Sequence, residues 1–311
     1  MNNQVIQGDC LEVLKTLPDE SVDMVITSPP YWALRDYGVD GQLGLETTFQ
    51  EYITKLCDIF DEVKRVLKKE GTCWVNIGDT YNSGGNYRVD SDDKPAKIDH
   101  IQRGRVKVDT KEQGLPNKCL IQIPSRFAIE MTNRGWILRN EIIWHKPNCM
   151  PSSVTDRFTV DFEKLFFFTK SKKYYFEQQL EPYTEPINRW GGTMVKRING
   201  SDEYGVAQRI RDYRPVKEGK NKRTVWSINT KSFSEAHFAV YPEKLCETPI
   251  KAGCPIGGIV LDPFFGAGTT GLVAKKLGRD YVGIELNPEY IDIINKRLSQ
   301  QSLLGKSDGK E

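Results

Sequence analysis

The chain is short of the features that place a protein quickly. Its 44 Lys and Arg are offset by 42 Asp and Glu, leaving a formal net charge of +2, so the total charge announces no polyanionic partner. No stretch approaches the roughly 18 to 20 uninterrupted apolar residues that a membrane-spanning helix needs. No glycine or heptad period runs through the 311 residues, and no internal repeat is visible, which excludes fibrous architectures. There is no C-x-x-C. The seven cysteines (10, 57, 73, 119, 149, 246 and 254) are odd in number and widely spaced, and the three histidines (100, 145 and 237) are isolated. Neither a disulfide framework nor a metal site is expected from them. The start, MNNQVIQGDC, has no basic and no apolar segment of a signal peptide, so a cytoplasmic location is expected.

What is present is enough for a core: 13 Phe, 13 Tyr and 6 Trp. Val22–Thr27 is a short apolar run stopped by Ser28-Pro29-Pro30, as a buried parallel strand would be. Apolar residues from Phe49 to Leu67 recur at helical spacing, which predicts a helix over 47–69 ended by Gly71. Further strands are predicted at 72–77, 136–144, 162–169, 256–261 and 281–286, and further helices at 123–134, 269–277 and 290–298. Strands alternating with helices imply an α/β fold with a mainly parallel sheet covered on both faces. Two segments break the pattern. Residues 82–118 are polar and aperiodic and read as a mobile loop. Residues 184–224 carry ten Lys and Arg against five acids, a local charge of +5. The last residues, 301–311, read as a frayed tail.

Near the C-terminal end, a strand runs into Asp262-Pro263-Phe264-Phe265-Gly266-Ala267-Gly268-Thr269-Thr270-Gly271. Gly266, Gly268 and Gly271 fit G-x-G-x-x-G, which lets backbone turn tightly against a ligand. Glu285 follows Gly266 by 19 residues, at the end of the next strand, where a carboxylate can accept from ribose hydroxyls. A nucleoside-bearing ligand follows. NAD is disfavoured, because only 26 residues follow Glu285, too few for a second mononucleotide half. A second cluster, Thr27-Ser28-Pro29-Pro30-Tyr31-Trp32, ends a predicted central strand. Two prolines fix the backbone and remove two N–H donors, so carbonyls point outward. A hydroxyl, a rigid carbonyl and an aromatic ring suit a planar heterocycle with an exocyclic amine: the ring stacks and the oxygens accept from the amine.

Together these two segments resemble the amino-methyltransferase family of DNA methyltransferases, in the order of its permuted β group: the Ser-Pro-Pro-Tyr motif, then a basic variable region, then the glycine motif. The resemblance covers 4–80, 120–180 and 225–300. It implies a Rossmann-like, circularly permuted S-adenosylmethionine-dependent fold with a mainly parallel seven-stranded sheet. The catalytic domain would be 1–180 with 225–300, and an inserted target-recognition region would occupy 181–224. It also implies methyl transfer from S-adenosylmethionine, leaving S-adenosylhomocysteine, to the N4 of cytosine or N6 of adenine in double-stranded DNA. The target base would be flipped out of the duplex. Ser at the first motif position is typical of the N4-cytosine members, so cytosine is favoured here, with adenine as the alternative.

Residue roles follow from the same resemblance. Ser28, Pro29, Pro30 and Tyr31 would form the catalytic motif. Phe264, Phe265, Gly266, Gly268, Thr269 and Thr270 would wrap the methionine part of the cofactor, with Asp262 facing its ammonium. Glu285, with Leu286 and Asn287, would bind the ribose; Asp9 and Cys10 would meet the adenine ring; Thr27, His237, Phe238 and Pro242 would complete the pocket. Taken alone, His145 and His237 read as structural histidines. Trp32, Arg35 and Lys146 are expected on the DNA side, Lys146 at a phosphate, and Arg189, Arg197, Arg209, Arg211 and Arg214 at phosphates or guanines. The +5 segment supplies the local positive surface that the total charge hides. Implied partners are duplex DNA, a cognate restriction endonuclease and a second copy of the chain, in a prokaryotic or phage-encoded setting, nucleoid-associated during action. An RNA or protein-amide methyltransferase, a dehydrogenase and a non-catalytic nucleic-acid binder are the competing classes.

Overall fold

The computed structural model describes residues 2–82, 111–182, 219–230 and 241–304. Most of the 82–118 segment, the five candidate arginines from 189 to 214, the His237-Phe238 pair and the tail from 305 lie outside the described residues. The chain divides into two compact units, 1–177 with 224–311, and 178–223.

In chain order the elements are β1 (Gln4–Gln7), α1 (Cys10–Thr16), β2 (Val22–Thr27), α2 (Phe49–Val66), β3 (Leu67–Ile77), α3 (Ile123–Asn133), β4 (Ile137–His145), β5 (Phe162–Thr169), β6 (Leu180–Glu181), β7 (Lys220–Asn221), β8 (Val225–Ser227), α4 (Glu243–Gly253), β9 (Ile259–Asp262), α5 (Thr269–Lys276), β10 (Asp280–Glu285) and α6 (Pro288–Leu304). The larger unit holds one sheet in the order β1-β10-β9-β2-β3-β5-β4-β8. Only β5 opposes its neighbours; every other pairing is parallel. The seven expected strands are joined by an eighth, the three-residue β8, which pairs Val225 with Ile143 of β4 and takes that edge of the sheet. The smaller unit contains β6 paired antiparallel to β7, with Arg223 Nε 2.6 Å from Glu181 Oε1.

Side chains alternate across the sheet and feed two cores. Phe166 and Phe168 of β5 enter one, against Phe127 of α3 and Phe60 of α2. Leu165 and Phe167 enter the other, where Phe167 stacks on Trp74 with centroids 4.0 Å apart. The second core also takes Leu245 of α4, Leu272 of α5 and Ile294 of α6, so helices cover both faces. Helix α2 begins with a capping box, Thr48 and Glu51 bonding each other's backbone N–H.

The end of α2 departs from the sequence reading. The helix stops at Val66 and β3 starts at once, so Gly71 is a strand residue and not a helix terminator. A Cβ at Gly71 would sit 2.5 Å from Leu67 Cδ1 and 2.9 Å from the Asp23 carbonyl oxygen. The register with β2 jumps in this stretch, from Val22 opposite Leu67 to Met24 opposite Thr72. The glycine lets the two chains close over that irregularity.

Because β1, β2, β3, β9 and β10 run parallel, their carboxyl ends share one sheet edge. Open α/β sheets bind ligands there. Both motif segments leave the sheet at this edge.

Candidate functional site

A cavity of about 640 Å³ opens at that edge, a size ordinary for small-molecule sites. Ser28, Pro29, Pro30 and Tyr31 line it on one side; Phe264, Phe265, Gly266, Glu285, Leu286 and Asn287 line it on the other. Two segments more than 230 residues apart in sequence are thereby brought to one space.

The glycine side is built of backbone. Gly266 and Gly268 have φ of +51° and +75°, a left-handed conformation that favours glycine. Gly268 caps α5 without a side-chain partner, so the first N–H groups of α5 have no cap from that residue. The Phe265 ring does not face a ligand. It lies flat on Gly283, where a Cβ would be 2.3 Å from Phe265 Cγ, and it stacks on Tyr281 at 5.8 Å. Its backbone, bonded from N to the Ile284 carbonyl at 2.9 Å, pins the start of the loop to β10.

Glu285 ends β10 at the cavity wall, 9% exposed. Its Oε2 accepts from Gly266 N at 2.7 Å and its Oε1 from Asn287 N at 2.9 Å. Burial raises its pKa to about 7, against the opposing pull of these backbone bonds. A diol donating to this carboxylate would complete its acceptor capacity. The positive-φ loop, the α5 start and a carboxylate on the next strand fit a nucleoside cofactor.

Asp262 occupies a different place from the one the sequence suggested. It is fully buried, and the residues lining the cavity do not include it. Its Oδ1 accepts from Thr27 Oγ1 at 2.6 Å and Phe264 N at 3.1 Å; its Oδ2 accepts from Thr270 Oγ1 at 2.6 Å and Tyr241 OH at 3.2 Å. Thr270 and Tyr241 also bond each other. Burial lifts the Asp262 pKa to about 6, moderated by these donors. Four bonds use the carboxylate from within, so Asp262 ties the end of β2 to α5 and the Tyr241 segment. Thr27 and Thr270 serve it behind the wall, and Thr269 faces the cavity.

Several other predicted residues also need relocating. Trp32 is 3% exposed, donates Nε1 to the Glu46 carbonyl at 2.9 Å and packs edge-on to Phe49. It is a core residue and cannot meet DNA. Lys146, expected at a phosphate, lines the cavity, where its ammonium pairs with Glu163 and lies 4.5 Å from the Trp144 ring centroid. Asp9 lines the cavity while acting as the N-cap of α1, accepting from Glu12 N at 3.1 Å. Cys10 lines the cavity too, and its burial pushes the thiol pKa up to about 12. Arg35, expected on the DNA side, lines the cavity. In the Tyr241-Pro242 pair the tyrosine lines the cavity, and Pro242 precedes the first turn of α4. His145 Nδ1 lies 3.0 Å from Ser227 Oγ, a structural pairing.

The proline side is built of side chains. The Pro30 carbonyl accepts from Tyr52 OH at 2.9 Å, which fixes the turn. Tyr31 lies against the backbone of Gly78, where a Cβ would be 2.5 Å from Tyr31 Cε2. Its hydroxyl donates to Glu163 Oε2 at 2.6 Å and lies 3.2 Å from Asn76 Oδ1. Burial and the Glu163 charge push the phenol pKa well up, so it stays protonated. Ser28 Oγ sits 3.4 Å from both Asn76 Oδ1 and Tyr31 OH. Asn76, Tyr52 and Glu163 were not visible as site residues in the sequence. They stand within two strands and a helix that carry no motif, and packing of those elements delivers them.

No group of three or more His, Cys, Asp or Glu able to hold a metal occurs among the described residues. No described helix is long and apolar enough to cross a membrane.

Residues 22–296 match the family model of the N6/N4 DNA methylases. The chain is 45% identical over 295 residues to the Type II methyltransferase M.Cfr9I of Citrobacter freundii, covering 94% of this chain and 87% of that protein. It is 44% identical over 298 residues to the Type II methyltransferase M.SmaI of Serratia marcescens, covering 95% and 90%. Among solved structures it is similar to the cytosine-N4-specific PvuII DNA methyltransferase, with a TM-score of 0.62 at 20% identity over 95% of this chain and 86% of that one. It is also similar to the M1.HpyAVI–SAM complex, with a TM-score of 0.55 at 21% identity over 95% and 98%. At these identities the two structural likenesses speak for the fold.

Proposed function

The chain belongs to the N6/N4 DNA methylase family, and from that premise we propose that it methylates the exocyclic N4 of cytosine in duplex DNA. One observation carries the choice of target: Ser28, not an acid or amide, stands at the head of the motif, and it lines the same cavity as Glu285 and the glycine loop. The cofactor is S-adenosylmethionine, which supplies a methyl group made electrophilic by its sulfonium.

The chain's own part is orientation. The Gly266–Gly268 turn and the start of α5 would hold the cofactor's amino-acid end, and Glu285 would accept from its ribose. Asp262 would act on this from behind, by locking the loop to β2. On the opposite wall Ser28 Oγ and the Pro29 carbonyl would accept from the target amine, turning its nitrogen lone pair towards the donor. Tyr31 would stack on the base. A base can enter this recessed cavity only after leaving the duplex, so flipping is part of the reading.

Sequence recognition we assign to the 181–224 region on the +5 charge of its residues 184–224, with Arg189, Arg197, Arg209, Arg211 and Arg214 as phosphate or guanine contacts. The Type II names of the relatives support pairing with a restriction endonuclease of the same specificity. The test is to digest DNA modified by the protein to nucleosides and identify the product by mass spectrometry. N4-methylcytosine is expected. N6-methyladenine as the only product would overturn the choice of base and leave the chemistry standing.

A further inference from the structure

A polar chain runs across the proline side of the cavity through Lys146, Glu163, Tyr31, Asn76 and Ser28. All five residues line the cavity. Glu163 divides its two oxygens: Oε1 pairs with Lys146, and Oε2 accepts the Tyr31 hydroxyl at 2.6 Å. A phenol has one hydrogen. The Glu163 contact is far shorter than those to Asn76 Oδ1 (3.2 Å) and Ser28 Oγ (3.4 Å), and it is charge-assisted, so the hydrogen belongs to Glu163. Asn76 Nδ2 donates to the Lys164 carbonyl at 3.2 Å, which turns Asn76 Oδ1 towards Ser28 and Tyr31. The Ser28 hydrogen has Asn76 Oδ1 to point at, 3.4 Å away. The lone pairs of Ser28 are thus left for whatever enters beside it, and no Tyr31 hydrogen occupies them.

We propose that Glu163 is a positioning and specificity-determining residue: by taking the hydrogen of the Tyr31 hydroxyl, it makes this wall of the cavity a set of acceptors. Such a wall admits an exocyclic amine, which has two N–H donors. It rejects a base with a carbonyl at the same place, because two sets of lone pairs then face each other without a hydrogen between them. Lys146 pairs with the other Glu163 oxygen and holds the carboxylate in place. The inference rests on the amine-methylating reading above.

The pattern has a signature that plain structural damage lacks. In Glu163→Gln, Lys146 holds the amide oxygen, the amide N–H₂ faces Tyr31, and the phenol hydrogen turns to Ser28 Oγ, 3.4 Å away, taking a lone pair that would accept from the amine. Single-turnover transfer of labelled methyl from S-adenosylmethionine to duplex DNA is expected to slow by roughly tenfold to a hundredfold, with cofactor affinity unchanged. Tyr31→Phe removes the misdirected hydrogen. The double variant Glu163→Gln, Tyr31→Phe is therefore expected to be faster than Glu163→Gln alone and to match Tyr31→Phe. Glu163→Leu, which leaves the phenol without its acceptor, gives the same suppression if the Gln protein does not fold. Once the target position is mapped, binding of duplexes with cytosine or uracil there is compared, and the preference for cytosine is expected to shrink in Glu163→Gln.

Glu163→Gln at the wild-type rate, or a double variant no faster than Glu163→Gln, overturns the proposal while the methyltransferase reading stands. If neither single variant at 163 binds S-adenosylmethionine, Glu163 is holding the fold and the proposal falls. A wild-type protein that labels no DNA defeats the underlying reading and the proposal with it.

Discussion

The two walls of the cavity are made of different material. On the glycine wall, the cavity is lined by a turn of positive-φ glycines and by a carboxylate that accepts from the backbone N–H groups of its own neighbours. On the proline wall the lining groups are hydroxyls, an amide and an ion pair, carried on or just beyond four strands, β2, β3, β4 and β5. Backbone positions depend on close packing beneath them, so damage to that wall costs stability as well as binding. Side-chain positions depend on one another, so damage to the other wall costs rate while the fold persists.

The sharpest way to break this comparison is at Gly283. Its Cβ has no room under the Phe265 ring. Gly283→Ala is expected to lower unfolding free energy by about 3 kcal/mol and to abolish cofactor binding, as measured by denaturant titration and calorimetry. Ser28→Ala should do the reverse, cutting turnover about a hundredfold with the cofactor dissociation constant and the denaturant midpoint unmoved. Equal loss of cofactor binding in Ser28→Ala would show that the walls are not separable.

A smaller effect comes from pH. Burial holds the folded pKa of Glu285 at about 7 and that of Asp262 at about 6, above the values of roughly 4 expected in an unfolded chain. The folded state therefore binds more protons between pH 4 and 7. The contribution of these two groups to stability is fullest at low pH and is lost as pH rises through 6 to 7. Cofactor affinity should run the other way, falling by up to about tenfold per pH unit below 7 as Glu285 loses its charge. Glu285→Gln is expected to flatten both curves. Smallest of all, Lys118→Ala breaks an exposed ion pair with Asp156 away from either wall, and no change in thermal midpoint is expected.

How much of this was legible in the sequence also divides by wall. Strands β2 and β5 have the bounds the apolar runs predict, because buried strands of a covered sheet carry continuous apolar side chains. The glycine wall could be read because its parts lie 19 residues apart on consecutive elements. Strand β1 could not, since Gln4–Gln7 has only two apolar residues, and α1 is a seven-residue helix. Helix α4 carries Pro249 inside it, against the usual pattern. Glu163 escaped because it lies 132 residues from Tyr31 and meets it only when β5 turns antiparallel between β3 and β4. Trp32 was misassigned for the opposite reason. It neighbours the motif in sequence, but the backbone after Tyr31 turns it inward to the Glu46 carbonyl.

The strand order β10-β9-β2-β3 has a consequence in time. The N-terminal strand β2 lies beside β9, whose residues are made some 230 positions later. As the chain leaves the ribosome, one edge of β2 has no neighbour until almost all of the protein has been synthesised. Contacts of such long range are slow to form, and an unpaired apolar strand edge invites association with other chains. The two walls therefore cannot meet until β9 and its loop have been made, and partly made copies lack the complete cavity.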